Sequence, residues 1–172
     1  MKRFLIVVDM QKDFIDGALG TKEAVDILPK TVDKISSFEG TIIATLDTHF
    51  ENYLDSAEGK KLPVPHCIKN TEGWRLSPQI AAAIEGKDHY VIEKNTFGSK
   101  ELPFLLEKLA DGEELSIELI GLCTDICVIS NALLLKAFFP ESTVTVDPDC
   151  CAGVTPALHD AAMAVLASCQ CT

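Results

Sequence analysis

Short apolar runs alternating with segments of helical spacing constrain this chain more than any other feature of it. Residues 4–8, Phe-Leu-Ile-Val-Val, are continuously apolar, as expected for a strand buried on both faces. Residues 41–46, 89–93, 116–120 and 142–146 read as four further strands. Helical spacing fills the intervals at 22–38, 78–85, 101–109 and 125–138. Residues 156–168 read as a closing helix, with Thr155 as N-cap and Pro156 in its first position. Strands alternating with helices predict an α/β fold, a mostly parallel Rossmann-like sheet between two helical layers joined by right-handed crossovers. At 172 residues, without linker, repeat or composition break, the expectation is a single domain over 1–172.

Charge and cysteine content exclude several classes. Lys and Arg total 15 against 26 Asp and Glu, a formal net charge of −11. Nucleic-acid binding needs clustered cations to displace counterions from phosphate, so no nucleic-acid partner is expected. The same balance disfavours a basic membrane anchor, and no segment approaches the ~20 apolar residues of a membrane span. Seven cysteines is an odd number for a paired extracellular scaffold. Lys2-Arg3 precedes an apolar run too short for a leader, which stops at Asp9. The expectation is a reduced, cytoplasmic protein.

Ligands of open α/β sheets bind beyond the carboxyl ends of the strands, and polar residues stand at those points here. Asp9 ends the first strand, Asp47 and His49 the second, and Lys94 the third; Gly121 to Cys127 follow the fourth. In that last segment Asp125 is a candidate N-cap. Cys127 would then lie in a first helical turn, where backbone N–H groups favour a thiolate and can hold an oxyanion. Singly, each residue has an ordinary structural explanation: a buried small cysteine, a capping aspartate, a lysine reaching water. Jointly, an acid, a cation and a cysteine at three strand ends supply a nucleophile, a base and an electrostatic helper.

Residues 47–74 form an irregular stretch too long for an ordinary connection, and such loops are commonly functional. It carries Asp47, His49, Asp55, Glu58 and His66, imidazole and carboxylate groups that suit zinc, manganese or iron. A solvated acidic loop with two surface histidines is the plain alternative. No Gly-x-Gly-x-x-Gly, P-loop or Gly-x-Ser-x-Gly motif is present.

The segments Val7-Val8-Asp9-Met10-Gln11-Lys12-Asp13-Phe14, Asp47-Thr48-His49, Pro65-His66-Cys67, Glu93-Lys94, Gly121-Leu122-Cys123-Thr124-Asp125-Ile126-Cys127-Val128 and Asp149-Cys150-Cys151-Ala152-Gly153-Val154 follow one another in the order found in a known group of enzymes. In them the chain resembles the isochorismatase-like cysteine hydrolases, most closely their nicotinamidase branch, over nearly its whole length. The resemblance implies that fold and a catalytic triad of Asp9, Lys94 and Cys127. It also implies an oxyanion hole from the backbone N–H groups of Cys123 and Cys127, and a cis peptide before Cys123. It further implies a divalent metal, zinc or else manganese or iron, on Asp47, His49, Glu58 and His66, with Asp55 the alternative to Glu58. The metal would bind the pyridine nitrogen of nicotinamide. Where nicotinamidases place an aromatic residue shortly before the last metal histidine, this chain has Leu62-Pro63-Val64-Pro65. Phe14, Phe97 or Trp74 would then have to form the wall against the ring. A small-molecule substrate and a homo-oligomer, dimer or tetramer, are the implied partners. Hydrolysis of another small amide or an isochorismate-like ether is the alternative within the fold. A non-catalytic metal-binding or assembly protein is the alternative outside it.

Overall fold

The computed structural model describes residues 1–172. Five parallel strands form one sheet in the order β3-β2-β1-β4-β5: β1 Lys2–Val8, β2 Thr41–Asp47, β3 His89–Lys94, β4 Leu115–Leu122 and β5 Thr143–Ala152. Six helices connect and cover them: α1 Lys12–Ile15, α2 Lys22–Ser37, α3 Pro78–Ile84, α4 Leu102–Ala110, α5 Ile129–Phe138 and α6 Pro156–Ser168.

β1 shows why its sequence is apolar without alternation. Phe4, Ile6 and Val8 pack into one core with Leu102 and Leu106 of α4, Leu135 of α5 and Leu166 of α6. Leu5 and Val7 face the opposite core, with Ile35 of α2 and Ile80 and Ile84 of α3. The crossovers from β1 to β2 to β3 thus lie on one face, and those from β3 to β4 to β5 on the other. The direction of winding reverses between β1 and β4, and a cleft opens there beyond the strand ends.

Two elements differ from the sequence-based expectation. β5 runs on to Ala152, because the ladder slips between Leu119 and Gly121 and resumes with Gly121 opposite Cys151. The slack accommodates Pro148, which has no N–H to give to a ladder. The helix expected from residue 125 is preceded by a π-turn, Thr124–Val128, with Cys123 rather than Asp125 in the capping position. The Asp125 carboxylate instead accepts the Val154 N–H at 2.9 Å, tying the turn to the segment before α6. Thr155 does cap α6, accepting the Leu158 N–H at 3.2 Å. All seven cysteines are free, and no helix is long and apolar enough to cross a membrane.

Candidate active site

The chain between Gly121 and Cys127 is shaped by close contact with β1. Gly121 has φ +120° and lies against Val8 so tightly that a Cβ there would be 2.1 Å from the Val8 carbonyl oxygen. Only glycine fits both the angle and the space. The Leu122–Cys123 peptide that follows is cis. Across the cleft, Asp9 leaves β1 in a left-handed conformation, φ +49°, uncommon for a residue with a side chain and frequent where function dictates geometry.

Asp9, Lys94 and Cys127 converge. Lys94 Nζ is 2.7 Å from Asp9 Oδ2, 3.5 Å from Cys127 Sγ and 3.5 Å from Asp47 Oδ1. All three members are buried, and Asp9 is fully so. Thr45 of β2 fixes the acid: its hydroxyl donates to Asp9 Oδ1 at 2.7 Å. Asp9 Oδ2 touches the ammonium but lacks a directional hydrogen bond. Burial pushes Asp9 above the ordinary carboxylate range, with Lys94 opposing it and Asp47 adding to it. Lys94 moves the other way from what its burial alone would give: Asp9, Cys127 and Asp47 hold it firmly protonated. Burial raises the Cys127 thiol well above its usual value, Asp9 raises it further, and Lys94 opposes both. The resting group is therefore a thiol, not the thiolate that a helix N-terminus alone would favour. Burial pushes the Cys123 thiol up to about 12, and the Asp125 and Asp9 charges raise it in the same direction with no cation opposing them.

The second cluster lies on the same cleft. His49 Nε2 is 2.9 Å from Asp47 Oδ2, and His66 Nε2 is 3.6 Å from that oxygen. Glu58 Oε1 stands 3.8 Å from the His49 nitrogen and 3.7 Å from that of His66. One ligand atom each from Asp47, His49 and His66 falls within 4.8 Å of the others. Asp55 lines the cavity without joining this group. Burial opposes charge on Asp47, yet the nearby His49 and His66 rings and the Lys94 charge hold it well below the usual carboxylate range.

These residues fit a divalent metal. His49 Nε2 is buried with no hydrogen-bond partner, an orphan that a metal would satisfy. His66 Nδ1 lies 2.8 Å from the Val64 carbonyl, which requires its proton there and leaves Nε2 free as a ligand. Tyr53 packs edge-on against both rings, with centroids at 4.7 and 5.0 Å, and its hydroxyl donates to the Leu62 carbonyl at 2.9 Å.

Cys127 of the first cluster and Asp47, His49, Glu58 and His66 of the second line one cavity of about 970 Å³, walled by Phe14, Phe50, Phe97 and Ile126 among others. Phe14 also meets the His66 ring at 5.4 Å. Trp74 does not line it, which corrects the sequence expectation. Its indole N–H donates to Thr48 Oγ1 at 2.9 Å, and its carbonyl accepts from the Gln11 amide at 2.7 Å. Gln11 also brackets the Asp47 backbone, accepting its N–H at 2.7 Å and donating to its carbonyl at 2.9 Å. Asp13 holds the other end of the loop by accepting the Cys67 N–H at 2.7 Å. Sequence reasoning passed over Thr45, Tyr53 and the role of Gln11. Gln11 and Asp13 lie inside the Asp-x-Gln-x-Asp-Phe segment and were the findable ones.

The chain matches the isochorismatase domain over residues 3–172. It is 30% identical over 146 residues to the uncharacterized isochorismatase family protein PncA of Bacillus subtilis (strain 168), covering 77% of this chain and 78% of that one. It is also similar to the pyrazinamidase of Pyrococcus horikoshii in complex with zinc, with TM-score 0.83 and 25% identity over 100% of this chain and 98% of that one. Its fold is shared by the nicotinamidase/pyrazinamidase PncA from Bacillus subtilis, with TM-score 0.87 and 24% identity over 100% and 98%. PnC1 from L. infantum in complex with nicotinate has TM-score 0.82 and 23% identity over 99% and 91%.

Proposed function

The chain belongs to the isochorismatase family of hydrolases, and we propose that it converts nicotinamide to nicotinate and ammonia through a thioester on Cys127. The observation that carries this reading is that Cys127, backed by Asp9 and Lys94, and the Asp47–His49–His66 cluster line one cavity. A nucleophile alone suits any small amide; a metal site beside it suits one whose ring offers a nitrogen ligand. The zinc complex of the Pyrococcus horikoshii pyrazinamidase and the nicotinate complex of the L. infantum protein support it by likeness.

In this mechanism Asp9 takes the Cys127 thiol proton as sulfur attacks the carboxamide carbon. Lys94, already charged, keeps Asp9 ionised beforehand and offsets the negative charge that builds on sulfur. The backbone N–H groups of Cys123 and Cys127 hold the oxyanion. Asp9 passes its proton to the leaving nitrogen, the C–N bond breaks, and ammonia departs from an acyl-Cys127 thioester. Water, deprotonated by Asp9, then splits the thioester and restores the thiol, so one amide and one water give one acid and one ammonia. Asp47, His49 and His66, with Glu58 as the added oxygen donor, would hold a zinc ion, or manganese or iron in its place. That ion supplies a Lewis-acid anchor for the pyridine nitrogen. Phe14 and Phe97, both on the cavity wall, would flank the ring.

A cavity of about 970 Å³ is roomy for one ring, so hydrolysis of a larger amide is the second reading. Ammonia release from a panel of amides, with and without chelator, tests both. Metal-dependent turnover of nicotinamide, abolished in Cys127→Ala, is expected. No ammonia from nicotinamide in metal-replete protein would overturn the first reading.

A further inference from the structure

Asn131 of α5 is a fully buried polar side chain that the mechanism does not use. Its three hydrogen bonds all go to backbone on the two sides of the cleft. Oδ1 accepts the Ser99 N–H at 2.8 Å, and Nδ2 donates to the Cys127 carbonyl at 2.8 Å and the Phe97 carbonyl at 3.3 Å. One amide therefore bolts the loop after Lys94 to the turn that carries the nucleophile. The loop has few other anchors to that turn. The Thr96 hydroxyl donates to the Gly98 carbonyl within the loop at 2.7 Å, and Ser99 Oγ accepts the Leu102 N–H at the start of α4 at 3.3 Å. Gly98 lets the loop lie flat on α5, since a Cβ there would stand 3.3 Å from the Ser130 carbonyl oxygen. Phe97, at the centre of this loop, lines the cavity with 47% of its surface exposed. Its ring is thus held in place chiefly by where its backbone is held.

We propose that Asn131 is a positioning residue that sets the preference for aromatic over small amides, by fixing the Phe97 wall relative to Cys127. The chemistry is one of distance. An aromatic contact acts only over a narrow range of ring separations, whereas attack by sulfur on a small carbonyl compound needs no wall at all. Loosening the loop should therefore weaken capture of a ring and leave the intrinsic reactivity of the thiol in place. The turnover arm of the test rests on the nicotinamide reading given above; the alkylation arm does not.

Cys127 is alkylated with iodoacetamide and, separately, with N-phenylchloroacetamide, whose ring must find the wall. Rates are followed at Cys127 by peptide mapping. Asn131→Ser should cut the N-phenylchloroacetamide rate by about 3- to 10-fold, the range one aromatic contact carries, and change the iodoacetamide rate by less. KM for nicotinamide should rise by a similar factor, with kcat changing less. Phe97→Ala should do the same, and adding Asn131→Ser to it should cost nothing more. Gly98→Ala, which pushes the loop off Ser130 without touching the core, should move selectivity in the same direction. It serves if Asn131→Ser fails to fold. Equal loss with both reagents, or losses that add in the double variant, would show a general structural role and overturn the proposal. If nicotinamide is not turned over but the alkylation pattern holds, the substrate reading fails and the positioning role stands.

Discussion

Thr45→Val isolates the support of the base from the base itself. Valine has the shape of threonine, so the buried packing at this point of β2 survives. What goes is the 2.7 Å bond from the hydroxyl to Asp9 Oδ1 and one of two acceptors for the Asp9 N–H, which keeps the Thr45 carbonyl at 3.2 Å. A hydrogen bond to a charged group contributes about 1.5–3 kcal/mol. If that loss falls on the ionised form of Asp9, kcat/KM for nicotinamide should fall roughly 10- to 150-fold at a pH where the wild-type base is ionised. The pH dependence gives the sign. Burial raises Asp9 while the Thr45 bond pulls it down, so removing the bond raises it further. The acid limb of kcat/KM should therefore move to higher pH, with part of the rate recovered above it. Stability follows the same logic. A carboxyl whose folded pKa lies above its unfolded value costs stability once pH exceeds the unfolded value, and this variant enlarges that cost. The Tm difference from wild type should be larger near pH 7.5 than near pH 5. An acid limb that stays in place or moves down would refute this assignment of Thr45 and of Asp9 as the base.

Three further outcomes are expected. His66→Ala should lose bound metal by elemental analysis and raise KM for nicotinamide at least about 10-fold, while Cys127 still reacts with iodoacetamide. Asp147→Asn should cost about 1 kcal/mol by urea unfolding at pH 7, little because the ion pair is partly wet. Partial burial works against charge on Asp147, but Lys34 at 2.8 Å holds it below the usual range. Its contribution is thus present above the unfolded pKa and lost as pH falls through the folded one, so variant and wild type should converge near pH 3. Light scattering at micromolar concentration should give a dimer or tetramer; a monomer mass would count against oligomerisation.

β1 and β2 were legible because they are buried on both faces, which writes them as apolar runs, whereas the edge strands β3 and β5 are partly exposed and were marked by their place between helical segments. Charged residues placed where those runs stop marked the cleft, since the interior tolerates such groups only when they are paired. The residues that hold the site left no comparable trace. Thr45 reaches Asp9 across 36 residues and Asn131 reaches Ser99 across 32, partnerships that no local spacing encodes. Tyr53 sits in a single 3-10 turn, Tyr53–Asp55, inside an irregular loop. Trp74 is held elsewhere for a related reason: its indole N–H donates to Thr48, 26 residues away in the chain.

Asp47 joins the two halves of the site, which makes its replacement informative in a way that loss of a histidine is not. Its Oδ1 faces the Lys94 ammonium at 3.5 Å, while Oδ2 faces His49 at 2.9 Å. Cys127 Sγ is also 3.5 Å from that ammonium, so sulfur and Asp47 Oδ1 are at most about 7 Å apart by addition of the two distances. At that separation an anion at Asp47 opposes a thiolate by about 2 kcal/mol for an effective dielectric near 20, in line with its upward effect on the Cys127 thiol. Asp47→Asn removes this repulsion and leaves the Lys94 ammonium with one carboxylate neighbour, Asp9, instead of two. In chelated protein, where no metal contributes to either sample, Cys127 of the variant should react with iodoacetamide several-fold faster than wild type at the same pH. The variant should also bind less metal. His66→Ala, which leaves the neighbours of Lys94 unchanged, should lose metal without that acceleration. An Asp47→Asn protein that loses metal while its thiol reacts no faster would show that the two clusters share a cavity but not a charge balance.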